Sequence, residues 1–250
     1  LGRTVQDMLQ WCTQEFAVLK VANPYVQISS IMPQKRNPVS LEHMRSLLSS
    51  SVGNAATVLQ MMHNTPFGDI VDTEDDMQPY VWRALSVLER MYRLMACVVA
   101  TMDVDKAGLL QRARESYAVV TELADTLVRT DRLPFRSSHR VVSHVVRKAA
   151  RLGLRADQIS LELLQESARQ VIGRELQLSA GELRLALDPV HFVRIRSLPG
   201  GPSPDVMRQA IEQRKVGLQE KKAWLEQARQ AIRTAMDGLD QIAAAWSVKP

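Results

Sequence analysis

Apolar residues recur every three or four positions along nearly the whole chain, which is the period of amphipathic helices. Met44, Leu47, Leu48, Ser51, Ala55, Val58, Leu59 and Met62 form one stripe, on a helix expected from Ser40 to Met62. Val81, Leu85, Leu88, Met91 with Tyr92, Met95, Val98 and Met102 form the next. Leu225, Ala228, Ile232, Ala235, Leu239, Ile242 and Trp246 make a third, a seam suited to helix–helix packing. No alternating apolar and polar run stands between turn signals, so no β-sheet core is expected. Thr73 to Asp76 follows the capping-box pattern, and Asp72, Glu74, Asp75 and Asp76 suit the positive end of a helix dipole. Ser179-Ala180-Gly181-Glu182 has the same form, and Ser203-Pro204 places a capping hydroxyl before a first-turn proline. Breaks fall at Asn23-Pro24, Thr65-Pro66-Phe67-Gly68, Leu133-Pro134, Asp188-Pro189 and Pro199-Gly200-Gly201-Pro202. The pattern predicts an all-α protein: the C-terminal part of a long-helix bundle over residues 1–110, and a helical C-terminal domain, smaller than the whole bundle, over 111–250, ending in a long helix.

Composition narrows the class. A chain of 250 residues with 46% hydrophobic content can bury one large core or two smaller ones without disulfides or metals. It has no apolar run of about 18 residues, so no membrane span is expected. Cys12 and Cys97 stand in helical patterns without partner spacing, which fits a reducing cytoplasm better than a disulfide framework or a zinc site. The formal charge is +5, and Arg132 to Arg155 holds seven Lys or Arg and no carboxylate. Such a patch could hold nucleic acid or an anionic substrate, but it lacks stacking aromatics apart from Phe135. A solvated helix face is the simpler reading, and no nucleic-acid partner is expected. His63, His144 and His191 are isolated, and no nucleophile elbow, phosphate-binding glycine loop or metal-ligand spacing occurs. No cofactor or metal is expected.

One stretch departs from ordinary packing: Ser29-Ser30-Ile31-Met32-Pro33-Gln34-Lys35-Arg36-Asn37-Pro38. Two hydroxyls, two cations and an amide between prolines can grip a carboxylate from several directions, although a polar loop with a helix cap at Ser40 has the same composition. The stretch closely resembles the signature loop of the fumarase/aspartase (fumarate lyase) superfamily, G-S-S-x-M-P-x-K-x-N. Leu9 to Phe16 looks like the helix that precedes this loop in the argininosuccinate lyase branch, and Leu133-Pro134-Phe135-Arg136-Ser137-Ser138-His139 is similar to its P-F-R-x-x-H element. Leu187-Asp188-Pro189 and Gly200-Gly201 also have counterparts there. The likeness runs from residue 1 to about 215, and it implies the second half of such an enzyme. An early signature loop and a first residue other than Met agree with that expectation.

The resemblance implies a carbon–nitrogen lyase that cleaves an N-substituted aspartate by β-elimination, releasing fumarate. It implies a soluble cytoplasmic enzyme of amino-acid metabolism, in arginine biosynthesis if the substrate is argininosuccinate. It also implies a homotetramer whose active sites are built from three subunits. Ser29 maps onto the base, Lys35 onto the cation that stabilises the carbanion, and Glu42 onto the carboxylate that orients a catalytic histidine. That histidine is no residue of this sequence, and His43 does not match its position. Ser30, Met32, Gln34 and Asn37 map onto the substrate-binding part of the loop.

Two departures bear on specificity. Ile28 stands where the family has glycine before the serine pair, at a loop that must move. The family's P-x-x-Y-N-x-D-x-Q-E-D-K element falls on Pro66 to Met77, where its Tyr, Gln and Lys are replaced by Asp69, Glu74 and Met77. Asp72 and Asp76 still match, and Asp75 matches the family's Glu in charge. Two carboxylates and a thioether suit a cationic amine better than argininosuccinate. The alternative readings are therefore a lyase acting on aminopolycarboxylates such as ethylenediamine-disuccinate, or a helical assembly module without activity as the isolated chain.

Overall fold

The computed structural model describes residues 1–32 and 34–247, and the chain forms two compact units, Leu1–Arg112 and one from Ala113 onward. Both are helical, and the strands among the described residues are two-residue pairs. The expected all-α architecture is what is observed.

In the first unit α1 (Gly2–Trp11) leads through a turn to β1 (Leu19–Lys20). β2 (Gln27–Ile28) and β3 (Arg36–Asn37) follow, then α2 (Val39–Met61) and α3 (Asp72–Thr101), and then β4 (Asp103–Val104), which pairs antiparallel with β1. α2 and α3 pack as an antiparallel hairpin. Leu41, Met44 and Leu48 share one buried cluster with Met91, Met95 and Val98, and Val5 and Met8 of α1 join it with Leu19 of β1 and Val21. Further along, the buried Ser51 donates its hydroxyl to the Ala84 carbonyl at 3.0 Å, so a polar group inside the seam has its partner.

The predicted stripes are only half buried. Leu59, Leu85 and Tyr92 lie on exposed faces of the same two helices. The starts also differ from the sequence pattern. α2 begins at Val39, so Ser40 lies inside the helix instead of capping it. α3 begins at Asp72 with Val71 at the cap, and no side chain caps it, because Asp72 turns to the neighbouring Thr73 N–H at 2.7 Å.

α4 (Lys106–Glu115) carries the chain into the second unit, which holds α5 (Val120–Asp131), α6 (Phe135–Arg151), α7 (Leu161–Ile172), α8 (Ala180–Ala186), α9 (Pro189–Arg194) and α10 (Pro204–Ser247). Its core gathers Leu123 and Leu127 of α5, Val141 and Val145 of α6, and Leu164 of α7. α5 stops at Arg132, which takes a left-handed conformation (φ 51°), and Pro134 bars helix from the residue before it. Ser179 and Glu182 close the expected capping box: the Ser179 hydroxyl accepts from Glu182 N–H at 3.2 Å, and the Glu182 carboxylate accepts from Ser179 N–H at 2.8 Å.

Two carboxylates are enclosed in this unit. Glu122 is bound by Arg129, Arg196 and Thr126, and Asp131 accepts from Gln177 N–H at 2.6 Å and Thr130 Oγ1 at 3.0 Å. α10 joins the rest of this unit through a tight elbow. Gly200 has φ 86°, and a Cβ at Gly201 would come within 2.3 Å of the Arg196 carbonyl oxygen. Pro204 opens α10 as expected, but the buried Ser203 hydroxyl has no hydrogen-bond partner among the described residues and does not cap the helix.

Candidate active site

The signature stretch is built as a ribbon tip. β2 pairs antiparallel with β3, Gln27 opposite Asn37 and Ile28 opposite Arg36, so both ends of the loop are fixed. Ser29 N–H reaches the Lys35 carbonyl at 3.5 Å, and Lys35 N–H donates to the Met32 carbonyl at 3.0 Å. Inside this frame the Ser29 hydroxyl oxygen accepts from two backbone donors, Ile31 N–H at 3.3 Å and Met32 N–H at 3.1 Å. Donors converging on a hydroxyl oxygen favour its deprotonated form, because the alkoxide gains more from them than the alcohol.

The residues that map onto the family's site divide into two groups. Ser29, Ser30, Met32, Gln34 and Lys35 lie on the ribbon tip and Asn37 on β3, with Ser29 and Asn37 half-buried and the others exposed. Pro33 lies outside the described residues. Glu42 follows in the first turn of α2, exposed, beside the buried Leu41 that anchors that turn. Neither Lys35 nor Glu42 forms an ion pair among the described residues.

Asp69, Glu74 and Met77 are elsewhere. α2 is 23 residues long, roughly 34 Å, and antiparallel packing puts the start of α3 at its far end. There Asp72, Thr73 and Asp76 face Thr57, Gln60 and Met61 across a cleft of about 350 Å³. Within one chain the structure does not bring Asp69, Glu74 and Met77 to Ser29.

Behind the ribbon the Arg36 guanidinium donates to the Val21 carbonyl at 3.3 Å, tying β3 to the segment after β1. A cavity of about 390 Å³ opens there between Cys12, Lys20, Arg36, Pro38 and Asp105. Burial pushes the Cys12 thiol above its usual range, which makes it a poor nucleophile at neutral pH. Burial, together with the adjacent Cys97, raises the Tyr25 phenol. The Ile31 and Met32 donors, and the Arg36 tie, are contributions that residue types do not announce. The one sequence signal for the donors is a serine two and three residues ahead of them, the spacing of a serine turn.

Comparison with known proteins decides the family. The argininosuccinate lyase C-terminal profile matches residues 117–194, and a lyase profile matches residues 1–53. Argininosuccinate lyase 2 of Agrobacterium fabrum is 39% identical over 211 residues, covering 84% of this chain and 42% of the relative. The argininosuccinate lyase of Methanothermobacter thermautotrophicus is 34% identical, covering 86% and 46%. The chain belongs to the argininosuccinate lyase branch of the fumarate lyase superfamily.

Among solved structures, an EDDS lyase variant with bound fumarate superposes with a TM-score of 0.82 at 30% identity. That match covers 94% of this chain and 46% of the other. EDDS lyase in complex with formate matches equally well. The chain spans about half the length of the fumarate lyase relatives it matches. Among the described residues no helix is long and apolar enough to cross a membrane.

Proposed function

We propose that this chain supplies the signature-loop part of a carbon–nitrogen lyase that cleaves an N-substituted aspartate by β-elimination and releases fumarate. The observation that carries this reading is the pair of backbone N–H groups aimed at Ser29 Oγ, within a loop that also presents Lys35 and Asn37. A serine hydroxyl is too weak an acid to serve as a base unaided, and two converging donors are the environment that an alkoxide needs.

In the proposed reaction Ser29 takes the proton from the carbon next to a substrate carboxylate. The electron pair passes into that carboxylate as an aci-form dianion. The Lys35 charge and the Asn37 amide stabilise the dianion more than the substrate, so their effect falls on the rate. Collapse of the dianion forms the double bond of fumarate and expels the amine. Glu42 would orient the histidine that completes proton transfer, a residue not present in this sequence.

The distance between the ribbon tip and Asp69, Glu74 and Met77 supports assembly of the site from more than one copy, as a homo-oligomer. Their chemistry favours a second reading of the substrate. Two exposed carboxylates and a thioether suit the cationic amine of an aminopolycarboxylate, and the likeness to EDDS lyase agrees with that.

The test uses a complete protein containing this chain, incubated with argininosuccinate or with ethylenediamine-disuccinate while fumarate is followed by its ultraviolet absorbance. The substrate that is turned over chooses between the two readings. Ser29→Ala should lower the rate about 100-fold or more, and an unchanged rate would overturn Ser29 as the base. The 250 residues alone should show no turnover.

A further inference from the structure

α10 is a helix of 44 residues, about 66 Å long at 1.5 Å per residue. It contributes no side chain to either buried core among the described residues. Its hydrogen bonds to side chains run along its own surface, as in Arg208 to Asp205, Lys215 to Glu212 and Arg233 to Glu226. A polar helix could stand alone in water, but this one carries a continuous apolar seam. Ile211, Leu218, Leu225, Ile232, Leu239 and Trp246 recur at intervals of seven, and all six are exposed.

A strict seven-residue repeat sustained over that length drifts around a straight helix and stays on one face only if two helices supercoil left-handedly. The second seam position, three residues after the first, reads Arg214, Lys221, Ala228, Ala235 and Ile242, with Met207 leading. One position before the first seam the residues are small at Ala210, Gly217, Ala231, Gly238 and Ala245, and the exposed Trp224 stands among them and widens the apolar face at mid-helix.

We propose that α10 pairs antiparallel with α10 of a second copy of this chain, an interface separate from the candidate active site. Orientation follows from the two cations in the seam. Parallel pairing would set Arg214 against Arg214 and Lys221 against Lys221 of the other copy, like charges facing each other at the centre. Antiparallel pairing alternates the two seam positions and sets Arg214 opposite Leu239 and Lys221 opposite Ile232. Each aliphatic stem then packs on an apolar side chain while its charge reaches water.

The same register places Met207 opposite Trp246, Ile211 opposite Ile242, Leu218 opposite Ala235 and Leu225 opposite Ala228, so large side chains meet small ones in the middle. It also moves the basic stretch Arg208 to Lys222 away from its own copy and against the stretch that holds Asp237 and Asp240. Eight apolar seam side chains, burying on the order of 100 Å² each, approach the roughly 800 Å² per partner of a stable interface.

Disulfide trapping in the full 250-residue chain tests this, in a Cys12→Ser, Cys97→Ser background. Met207→Cys and Trp246→Cys chains mixed together should cross-link to each other, and neither should cross-link to itself. Leu225→Asp with Ile232→Asp should weaken self-association measured by sedimentation at least tenfold. Its far-UV circular dichroism should not change, because both positions are exposed. Self-linked Met207→Cys dimers, no cross-link between the two variants, or unchanged association of the double variant would each overturn the proposal. None of these readouts involves substrate, so they stand apart from the lyase reading.

Discussion

Glu122 is an ionisable side chain almost sealed from water, and its oxygens are shared by Arg129 on its own helix and Arg196 beyond α9. A buried carboxylate is tolerable only while such partners remain, so the cost of disturbing it falls on whichever charge is left alone. Glu122→Ala takes the countercharge from Arg196, the less exposed of the two cations, which keeps the Phe192 carbonyl and ring but no carboxylate, and should destabilise the second unit by about 3 kcal/mol. Urea unfolding of wild type and variant measures the difference. Ser29 is the contrasting residue. It is held by two backbone donors in a half-buried loop, and its substitution by alanine removes an acceptor without opening a cavity in a core. Ser29→Ala should therefore leave the urea midpoint within experimental error of wild type while removing catalysis. A large loss of stability would mean that the serine serves the ribbon more than the reaction.

Among the elements, the α8 start shows how a four-residue pattern becomes a structure. Ser179 and Glu182 each satisfy a backbone N–H of the other, and those hydrogen bonds hold the Glu182 carboxyl below its ordinary range. The sign follows directly. A depressed carboxyl contributes stability at pH above the ordinary glutamate value of about 4.3, and the contribution is lost as pH falls through the lower value of the folded chain. Wild type should therefore lose more of its urea midpoint between pH 7 and pH 3 than Glu182→Gln does. Ser179→Ala should cost about 1 kcal/mol at neutral pH.

This element was legible because its donors and acceptors lie three residues apart. α3 was less so: the same residue types precede it, but Asp72 satisfies Thr73 and the helix starts without a side-chain cap. Helices and breaks could be read from periodicity and proline. The ribbon that frames the signature loop could not, since strands of two residues are too short to alternate. Ser29, Lys35 and Glu42 were singled out by resemblance to a family motif, while the donors to Ser29 are main-chain groups that no side-chain pattern records.

At the scale of the whole molecule, the hairpin of α2 and α3 carries candidate site residues at both ends and an apolar surface between them. Val52, Leu59, Trp82 and Leu85 are exposed on its outer half. Placing these in water is unfavourable, and an assembly of hairpins would cover them. Leu59→Asp with Leu85→Asp should lower the oligomeric order seen in sedimentation without loss of helix content. If the candidate site joins ends from different copies, the same variant of a complete protein should also lose fumarate release, although neither residue is near Ser29. Retained activity in a monomeric variant would show that a single copy builds the site.

The elbow at Gly200 and Gly201 acquires a mechanical meaning at this scale. A Cβ at Gly201 has no space beside the Arg196 carbonyl, so Gly201→Ala must open the turn and re-aim the rod that leaves it. α10 acts there as a lever arm. A tilt of ten degrees at its root moves its tip by about 11 Å, given its length of about 66 Å. That is about the width of a helix, enough to carry Trp246 clear of whatever it was aimed at, through a single added methyl group.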